Sequence, residues 1–284
     1  MATFDTSLTH ALSPTPKVAL TIAGTDSGAG AGAAADLRTF AASGVFGVLV
    51  VTAVTAQNTV GIRQFLPMPA EMVAAQLDAV LEDLPVRAAK TGMLATRAVV
   101  ELVAARAGAG TLPPLVVDPV LVGSSGEPIF ASEDVAGAYR DLFASAVVIT
   151  PNLPEAALLT GREIADLSSM EEAARELHSL GPSLVIVKGG RRRDAEAVDV
   201  AFDGRSVTLL RAPWIDTPNV HGTGCTFSAA IAANLALDLE PLEAALQAKQ
   251  YVTRAISGSS CWRLGAGHGP LDQIGAGTGR LGPA

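Results

Sequence analysis

Residues 21–40, TIAGTDSGAGAGAAADLRTF, run from an apolar, β-branched segment through a turn of small residues into an alanine-rich helical pattern. A strand, a glycine turn and a helix in this order form the repeating unit of α/β folds. Gly30, Gly32 and Ala35 also match the loose dinucleotide-binding fingerprint G-x-G-x-x-G/A. Such a site needs an acidic residue about 20 positions later, but the following strand ends on Gln57 and Asn58. The missing carboxylate argues against a nicotinamide or flavin site.

The same alternation of strand and helix continues along the chain. The apolar runs are VALTIAG, GVLVVTAV, VRAAKTG, PLVVDPVLV, AVVIT and SLVIVKG, and the helical patterns lie near residues 31–43, 69–83, 96–107, 133–143 and 169–180. Alternation of this kind predicts a mostly parallel sheet with helices on both faces, which is a three-layer α/β/α fold.

The pattern changes in the last third of the chain. Residues 197–211 are typical of an antiparallel hairpin about an Asp203-Gly204 turn. Residues 223–258 indicate two successive helices with a break near residues 237–241. We predict one domain over residues 16–275, with a flexible leader at 1–15 and a flexible tail at 276–284.

Composition and charge exclude several classes of partner. The net charge of -8 and the pI near 5.0 argue against nucleic acid and anionic membrane surfaces, which attract basic proteins. No apolar run approaches the roughly 20 residues of a membrane span. The two cysteines, Cys225 and Cys261, form no disulfide framework and no metal-binding motif. A cytoplasmic protein is expected.

Polar and sulfur-containing side chains recur where the predicted strands end. Ligands of open parallel sheets bind beyond the carboxyl ends of the strands, so these side chains are expected to converge. Individually each has an ordinary explanation, since an aspartate there is often a helix cap and a methionine is often core. The residues are Asp26, Asp36, Gln57, Met93, Asp118, Asn152, Glu155 and Lys188.

A second glycine-rich stretch, TPNVHGTGCTFSAAIAANLAL at residues 217–237, carries the strongest chemical signal. Gly222, Thr223 and Gly224 precede a helix, whose free N–H groups and dipole form an anion site. The Walker A lysine is absent, so this is not a P-loop. Cys225 follows, and the helix dipole predicts a lowered thiol pKa, suited to taking a proton from an alcohol during phosphate transfer. A buried, inert thiol is the alternative.

The segment HGTGCTFSAAIAANLA resembles the anion-hole segment of the hydroxymethylpyrimidine/phosphomethylpyrimidine kinases, which are ribokinase-like. The same family is resembled, in the same order, by AGTDSGAGAGAAADLRTF, VVTAVTAQNTVG, KTGML, VVDPVLVGSSGEPIF, ITPNLPEAALLTG and VIVKGG, which together cover most of residues 17–272. Small departures are SGAGAG in place of a Ser-Gly-Gly start, Thr91 in place of an aliphatic residue, and Asp272-Gln273 in place of Asn-His.

The resemblance implies a role for each motif residue. It makes Cys225 the catalytic base beside an anion hole of Gly222, Thr223 and Gly224. It implies a pyrimidine pocket in which Gly24 lets the backbone approach the ring, Asp36 accepts from a ring amine, Gln57 pairs with the ring edge and Met93 packs on the ring. It assigns ATP to Lys188, Asn152 and Thr223, and Mg²⁺, held largely through waters, to Asp118 and Glu155.

The implied activity is phosphorylation by ATP of 4-amino-5-hydroxymethyl-2-methylpyrimidine and then of its monophosphate, for thiamine synthesis. Pyridoxal kinase and a non-catalytic pyrimidine-binding protein stay open as alternatives. The family also leads us to expect a homodimer. A monovalent cation requirement is left open, and Arg191 to Ala195 is expected to form a mobile loop over ATP.

Overall fold

The computed structural model describes residues 14–121, 135–190 and 196–278. The loop expected over ATP at residues 191–195, nearly all of the expected leader and most of the expected tail lie outside these residues. One of the expected boundaries can still be compared with the structure. The last helix continues to Thr278 and buries Ala276, so the folded region extends beyond the expected limit at residue 275.

The elements in chain order are β1 (Val18–Ala23), α1 (Gly32–Ala42), β2 (Phe46–Val51), β3 (Ala53–Asn58), β4 (Gly61–Pro67), α2 (Ala70–Asp83), β5 (Val86–Thr91), α3 (Arg97–Gly108), β6 (Leu115–Val117), α4 (Val135–Phe143), β7 (Val148–Ile149), α5 (Leu153–Thr160), α6 (Leu167–His178), β8 (Leu184–Val187), β9 (Glu196–Phe202), β10 (Val207–Pro213), α7 (Thr223–Ala236), α8 (Pro241–Gly258) and α9 (Gln273–Thr278).

The main sheet confirms the predicted α/β fold. Its order in the described residues is β10-β9-β8-β7-β6-β5-β1-β2. Within this sheet, neighbouring strands pair in parallel from β8 through β7, β6, β5 and β1 to β2. Strand β9 runs antiparallel to both β8 and β10. The β9–β10 hairpin is the one predicted about Asp203-Gly204. Strand β1, VALTIA, is buried along its whole length because helices cover both faces of the sheet.

Two hydrophobic clusters on opposite faces of the sheet confirm the three layers. Alternate residues of β1 divide between them, with Leu20 and Ile22 in one cluster and Ala19 in the other. The first cluster packs under α2, α3, α4 and α6, and the second under α1, α7 and α8. Helix α7 is buried over most of its surface, because its many alanines allow close packing against its neighbours. None of the helices in the described part of the chain is long and apolar enough to cross a bilayer.

The second strand differs from the prediction. The run GVLVVTAVTAQN does not continue as one strand of the main sheet, because the chain leaves that sheet at Thr52. Residues 53–58 form β3, which pairs antiparallel with β4 in a separate two-stranded sheet. We call β3 and β4 the flap. Gln57 therefore lies on the flap and not at the end of the second strand of the main sheet.

Candidate active site

Two cavities open at the carboxyl ends of the parallel strands. The first, about 420 Å³, lies between the first glycine turn, the flap and the start of α7. The second, about 680 Å³, lies between the β9–β10 hairpin, α8 and the other side of α7. Both cavities are lined by a common set of residues, which are Asn152, Lys188, Val220, Thr223, Gly224 and His268. The N-terminal turn of α7 is therefore the boundary at which two ligands would meet.

That turn has free hydrogen-bond donors. Gly222 is the N-cap residue at φ +88°, and no side chain caps the helix. The first N–H to bond within the helix is that of Thr226, which donates to the Gly222 carbonyl at 2.8 Å. The N–H groups of Gly224 and Cys225 have no acceptor among the described residues. An uncapped helix start with two free amides fits the anion hole expected from the sequence.

Lys188 reaches the same turn from β8. Its Nζ donates to Asp118 Oδ1 at 2.7 Å, and a Cβ added to Gly224 would lie 3.2 Å from that Nζ. Burial alone would lower the pKa of Lys188, but the charge of Asp118 raises it, so the ammonium is retained. A permanent positive charge thus stands beside the free amides and borders both cavities.

The thiol of Cys225 differs from the prediction. Burial raises its pKa to about 11, although Lys90 and the N–H of Gly32 oppose that rise. The predicted lowering was therefore wrong for the protein without ligands. Moving the thiolate out of water destabilises it more than the Lys90 ammonium and the Gly32 N–H stabilise it.

The two glycine turns touch each other. A Cβ added to Gly222 would lie 2.0 Å from the carbonyl oxygen of Gly30, and one added to Gly30 would lie 2.4 Å from Cδ2 of His221. Neither glycine can carry a side chain while the turns stay in place. The first turn and the anion hole therefore form one packed unit.

A polar cluster that the sequence analysis did not assign holds this unit together. The carboxylate of Asp26 accepts hydrogen bonds from the backbone N–H groups of Gly28, Gly30 and Ala31, and His221 Nε2 lies 2.9 Å from Oδ2. Burial alone would raise the pKa of Asp26, but these hydrogen bonds lower it below its usual value. Asp26 and His221 are 195 positions apart, so no local motif links them.

Three of the four residues expected at the ring, Gly24, Gln57 and Met93, line the first cavity. Gln57 is near the His221 ring, with Nε2 3.4 Å from Nε2. Met93 is half-buried in the wall. A Cβ added to Gly24 would lie 2.4 Å from Cε of Met93, so this glycine makes room for the methionine. The flap residue Ile62 also lines the cavity and was not anticipated.

Asp36 is not in the cavity, which corrects the expectation that it accepts a hydrogen bond from the substrate. The residue lies one turn inside α1 and faces the sheet, where it is fully buried. Its Oδ2 accepts hydrogen bonds from Thr21 Oγ1 at 2.6 Å and from Lys90 Nζ at 3.0 Å. The carboxylate therefore holds a buried lysine that the sequence analysis did not consider.

Asp118 and Glu155 both line the first cavity near Lys188. Asp118 directly follows β6 and also accepts from Thr150 Oγ1 at 3.1 Å. Glu155 forms a capping box with Asn152 at the start of α5, so it also has an ordinary structural role in capping this helix. Burial raises the pKa of Glu155 to about 7, with a further contribution from Asp118.

Two nearby carboxylates, one of them hard to ionise, fit a divalent cation that would offset their charge. Mg²⁺ prefers oxygen ligands, keeps several waters and needs few direct carboxylates. No group of three or more His, Cys, Asp or Glu side chains in the described ranges forms a metal site, so waters and phosphate oxygens would supply the other ligands.

The second cavity has its own ion pair. Lys249 Nζ donates to Asp199 Oδ2 at 2.7 Å, and the other oxygen of Asp199 accepts from the N–H of Gly189 at 2.9 Å. Trp214 and Phe227 supply apolar walls. A large, mostly apolar cavity bordered by the ammonium groups of Lys188 and Lys249 is suited to a nucleoside. The hairpin pattern of residues 197–211 gave no sign of this site.

The comparisons agree with this geometry. The family model described as phosphomethylpyrimidine kinase matches residues 26–272. A hydroxymethylpyrimidine/phosphomethylpyrimidine kinase from Rhizobium meliloti is 46% identical over 258 residues, covering 89% of this chain and 96% of that protein. A thiamine biosynthesis bifunctional protein from Geobacter sulfurreducens is 45% identical over 255 residues, covering 90% of this chain and 52% of that protein. The structure of an ADP complex of Bacillus subtilis pyridoxal kinase matches with a TM-score of 0.83 and 39% identity, covering 91% of this chain and 98% of that one.

Proposed function

The chain belongs to the phosphomethylpyrimidine kinase family of ribokinase-like phosphotransferases, and we propose that it phosphorylates 4-amino-5-hydroxymethyl-2-methylpyrimidine and then the monophosphate, in thiamine synthesis. The observation that carries this proposal is the shared wall of the two cavities. ATP in the second cavity would place its terminal phosphate at the N-terminal turn of α7. An alcohol in the first cavity would approach the same point from the other side.

The chain supplies charge stabilisation for the transfer. The free N–H groups of Gly224 and Cys225 point to where the oxygens of the transferring phosphoryl group gather charge, and Lys188 adds its ammonium. Phosphoryl transfer depends mostly on such positioning and electrostatics. Mg²⁺ bound at Asp118 and Glu155 would neutralise phosphate charge. Asn152, which lines both cavities, would contact the phosphates near this ion.

The two phosphorylations place different demands on Cys225. In the first, the hydroxyl of the substrate loses its proton to the Cys225 thiolate as its oxygen bonds to the terminal phosphorus of ATP and ADP leaves. In the second, the attacking phosphate oxygen is already anionic, so no base is needed. Because the thiol pKa is about 11, only roughly one thiol in 10⁴ is ionised at pH 7. This makes the first phosphorylation the more pH-sensitive reaction.

Recognition of the ring would involve Gln57, Met93 and the backbone of the first glycine turn. The amide of Gln57 is able to pair with the edge of an aminopyrimidine, and the Met93 sulfur is able to pack against its face. The Bacillus subtilis pyridoxal kinase, with a TM-score of 0.83, supports pyridoxal as a second candidate substrate. Both compounds carry a hydroxymethyl group on a nitrogen heteroaromatic ring.

Mass spectrometry distinguishes these candidates. The protein is incubated with ATP and Mg²⁺ and, in separate reactions, with the hydroxymethylpyrimidine or pyridoxal. Formation of both monophosphate and diphosphate from the pyrimidine is the expected result. Faster turnover of pyridoxal would assign the chain to the second candidate. Absence of product from both compounds would refute both assignments.

A homodimer is part of the proposal. The flap and the adjacent start of α2 expose the apolar side chains of Val54, Phe65, Leu66 and Met72. An exposed apolar patch of this kind commonly marks a surface that binds a partner protein. A second copy of the chain, paired through the flap, would bury it. Light scattering coupled to size-exclusion chromatography tests this, since Leu66→Asp should convert a dimer into a monomer.

The cytoplasm is the proposed compartment. Cys225 and Cys261 are both free thiols, as a reducing compartment favours. Cell fractionation followed by immunodetection checks this assignment, and recovery of the protein outside the cytoplasmic fraction would contradict it.

A further inference from the structure

One buried ion pair has no place in the transfer chemistry described above. The chain contains four lysines, at positions 17, 90, 188 and 249. Lys188 and Lys249 pair with aspartates in cavity walls, which gives each an evident use. Lys90 and Asp36 pair at 3.0 Å with both side chains fully buried, and neither lines a cavity.

This pair is costly to bury. Desolvation of two charges commonly offsets most of their attraction, so an apolar pair of similar volume is often as stable. The arrangement also leaves Asp36 Oδ1 buried without a hydrogen-bond partner among the described residues. A buried acceptor without a partner destabilises the fold further. A pair that adds little stability is a candidate for a functional role.

The pair lies close enough to Cys225 to interact with it electrostatically. Gly32, the first residue of α1, lines the first cavity together with Cys225, and its backbone N–H lowers the pKa of the thiol. Asp36 is four residues later, on the same face of α1 and about 6 Å along the helix axis. Lys90 Nζ, bound to Asp36, also lies 3.2 Å from the position a Cβ on Gly92 would occupy, and Gly92 lines the first cavity with Cys225.

Four charged groups face the thiol from the surrounding elements. They are Asp36 on α1, Lys90 on β5, Asp118 after β6 and Lys188 after β8. Lys188 is paired with Asp118 at 2.7 Å, so their effects on the sulfur largely cancel. Among the charges, Lys90 affects Cys225 most strongly, and it acts against the burial that disfavours the thiolate.

We propose that Lys90 is a positioning residue for Cys225: the Lys90 ammonium, held by Asp36, which also accepts a hydrogen bond from Thr21, stabilises the thiolate. The thiol first releases its proton to solvent. The thiolate then accepts the proton of the substrate hydroxyl, so an S–H bond forms as the O–H bond breaks. The oxygen electron pair bonds to the terminal phosphorus of ATP as the bond from that phosphorus to the bridging oxygen breaks, and ADP leaves. The catalytic consequence rests on the proposed base role of Cys225, whereas the effect on the thiol does not.

Alkylation by iodoacetamide measures the thiolate without any substrate. In a Cys261→Ser background, the rate of Cys225 alkylation is followed from pH 8 to pH 11 in the parent protein and in Lys90→Met. Loss of an opposite charge a few ångströms away should raise the thiol pKa by about one to three units. A more basic thiolate is also more nucleophilic, so the rate at pH 9 should fall by about three- to fortyfold.

The matched control is Lys249→Met, which breaks another buried lysine–aspartate pair but on the far side of α7. Its alkylation rate should stay within about twofold of the parent rate, because a charge removed at that distance has little effect on the Cys225 thiol. Equal slowing in both lysine variants would overturn the proposal, because it would reflect general loosening. No slowing in Lys90→Met would overturn it as well.

A second variant protects the test against misfolding. Lys90→Met leaves Asp36 buried without its partner, whereas Lys90→Met with Asp36→Asn removes both charges and keeps the volumes. Because Lys90 affects the sulfur more than Asp36 does, the double variant should also slow alkylation, by a smaller factor. Parent-like alkylation in a double variant with a parent-like melting curve would refute the role of Lys90.

Activity separates this proposal from the proposed function. In the double variant, kcat for the first phosphorylation should fall at least threefold, with KM for the pyrimidine and the rate of the second phosphorylation unchanged. Slower alkylation in a protein whose parent phosphorylates neither pyrimidine nor pyridoxal would leave Lys90 assigned and the function refuted. Unchanged alkylation in the double variant, with an active parent protein, would refute the role of Lys90 and support the proposed function.

Discussion

The raised pKa of Cys225 predicts how the two phosphorylations respond to pH. With a thiol pKa of about 11, the thiolate fraction is roughly 10⁻³ at pH 8 and roughly 10⁻¹ at pH 10, a rise of about a hundredfold. If this thiolate is the base, the first phosphorylation accelerates almost tenfold per pH unit over that range. The monophosphate has its second pKa near 6, so the second phosphorylation should change little.

The assay is a single-turnover experiment, because slow product release would hide the chemical step. Each reaction is quenched at intervals, and the products are quantified by mass spectrometry. Working above pH 8 avoids the ionisation of Glu155, whose pKa is raised to about 7. Cys225→Ser keeps the size of the side chain but does not ionise in this range, so it should lose the slope. Equal slopes in the two phosphorylations, or a slope retained in the serine variant, would refute the base assignment.

Three further predictions concern the cavities and the core. Gly24→Ala should raise KM for the pyrimidine about tenfold, because its Cβ would meet Met93 Cε at 2.4 Å, and adding Met93→Ala should recover part of the loss, as steady-state kinetics would show. Lys249→Met should weaken ADP binding about tenfold, measured by quenching of Trp214 fluorescence in the same cavity. An unchanged dependence of this quenching on ADP concentration would show that Lys249 does not contact ADP. Tyr139→Phe removes a buried hydroxyl that has no partner among the described residues, so its melting temperature should stay level or rise; a fall of several degrees would contradict this.

The sheet and the uncapped start of α7 were predictable because their signals are local. Parallel strands buried on both faces read as continuous apolar runs, as in β1. A glycine turn entering a helix creates free N–H groups wherever no side chain caps it, so the turn at Gly222 and Gly224 could be recognised from the local sequence.

What the sequence did not predict depends on contacts between distant residues. Nothing in GVLVVTAVTAQN marks Thr52 as the point where the chain leaves the main sheet, because both parts have the same β-branched pattern. The contact of Asp36 with Lys90 spans 54 positions, and that of Asp26 with His221 spans 195. The predicted lowering of the Cys225 pKa was wrong for the same reason. A helix start can be recognised in the sequence, whereas the burial that raises this pKa depends on residues distant in the sequence.

The contact between the two glycine turns limits how this kinase can be redesigned. Because Gly30 and Gly222 touch without room for a methyl group, a library that varies the first turn would also displace the free amides of Gly224 and Cys225. New ring specificities should therefore be sought on the flap, where Gln57 and Ile62 line the first cavity from a separate sheet. Those two positions allow the choice of substrate to change while the machinery for phosphate transfer is kept intact.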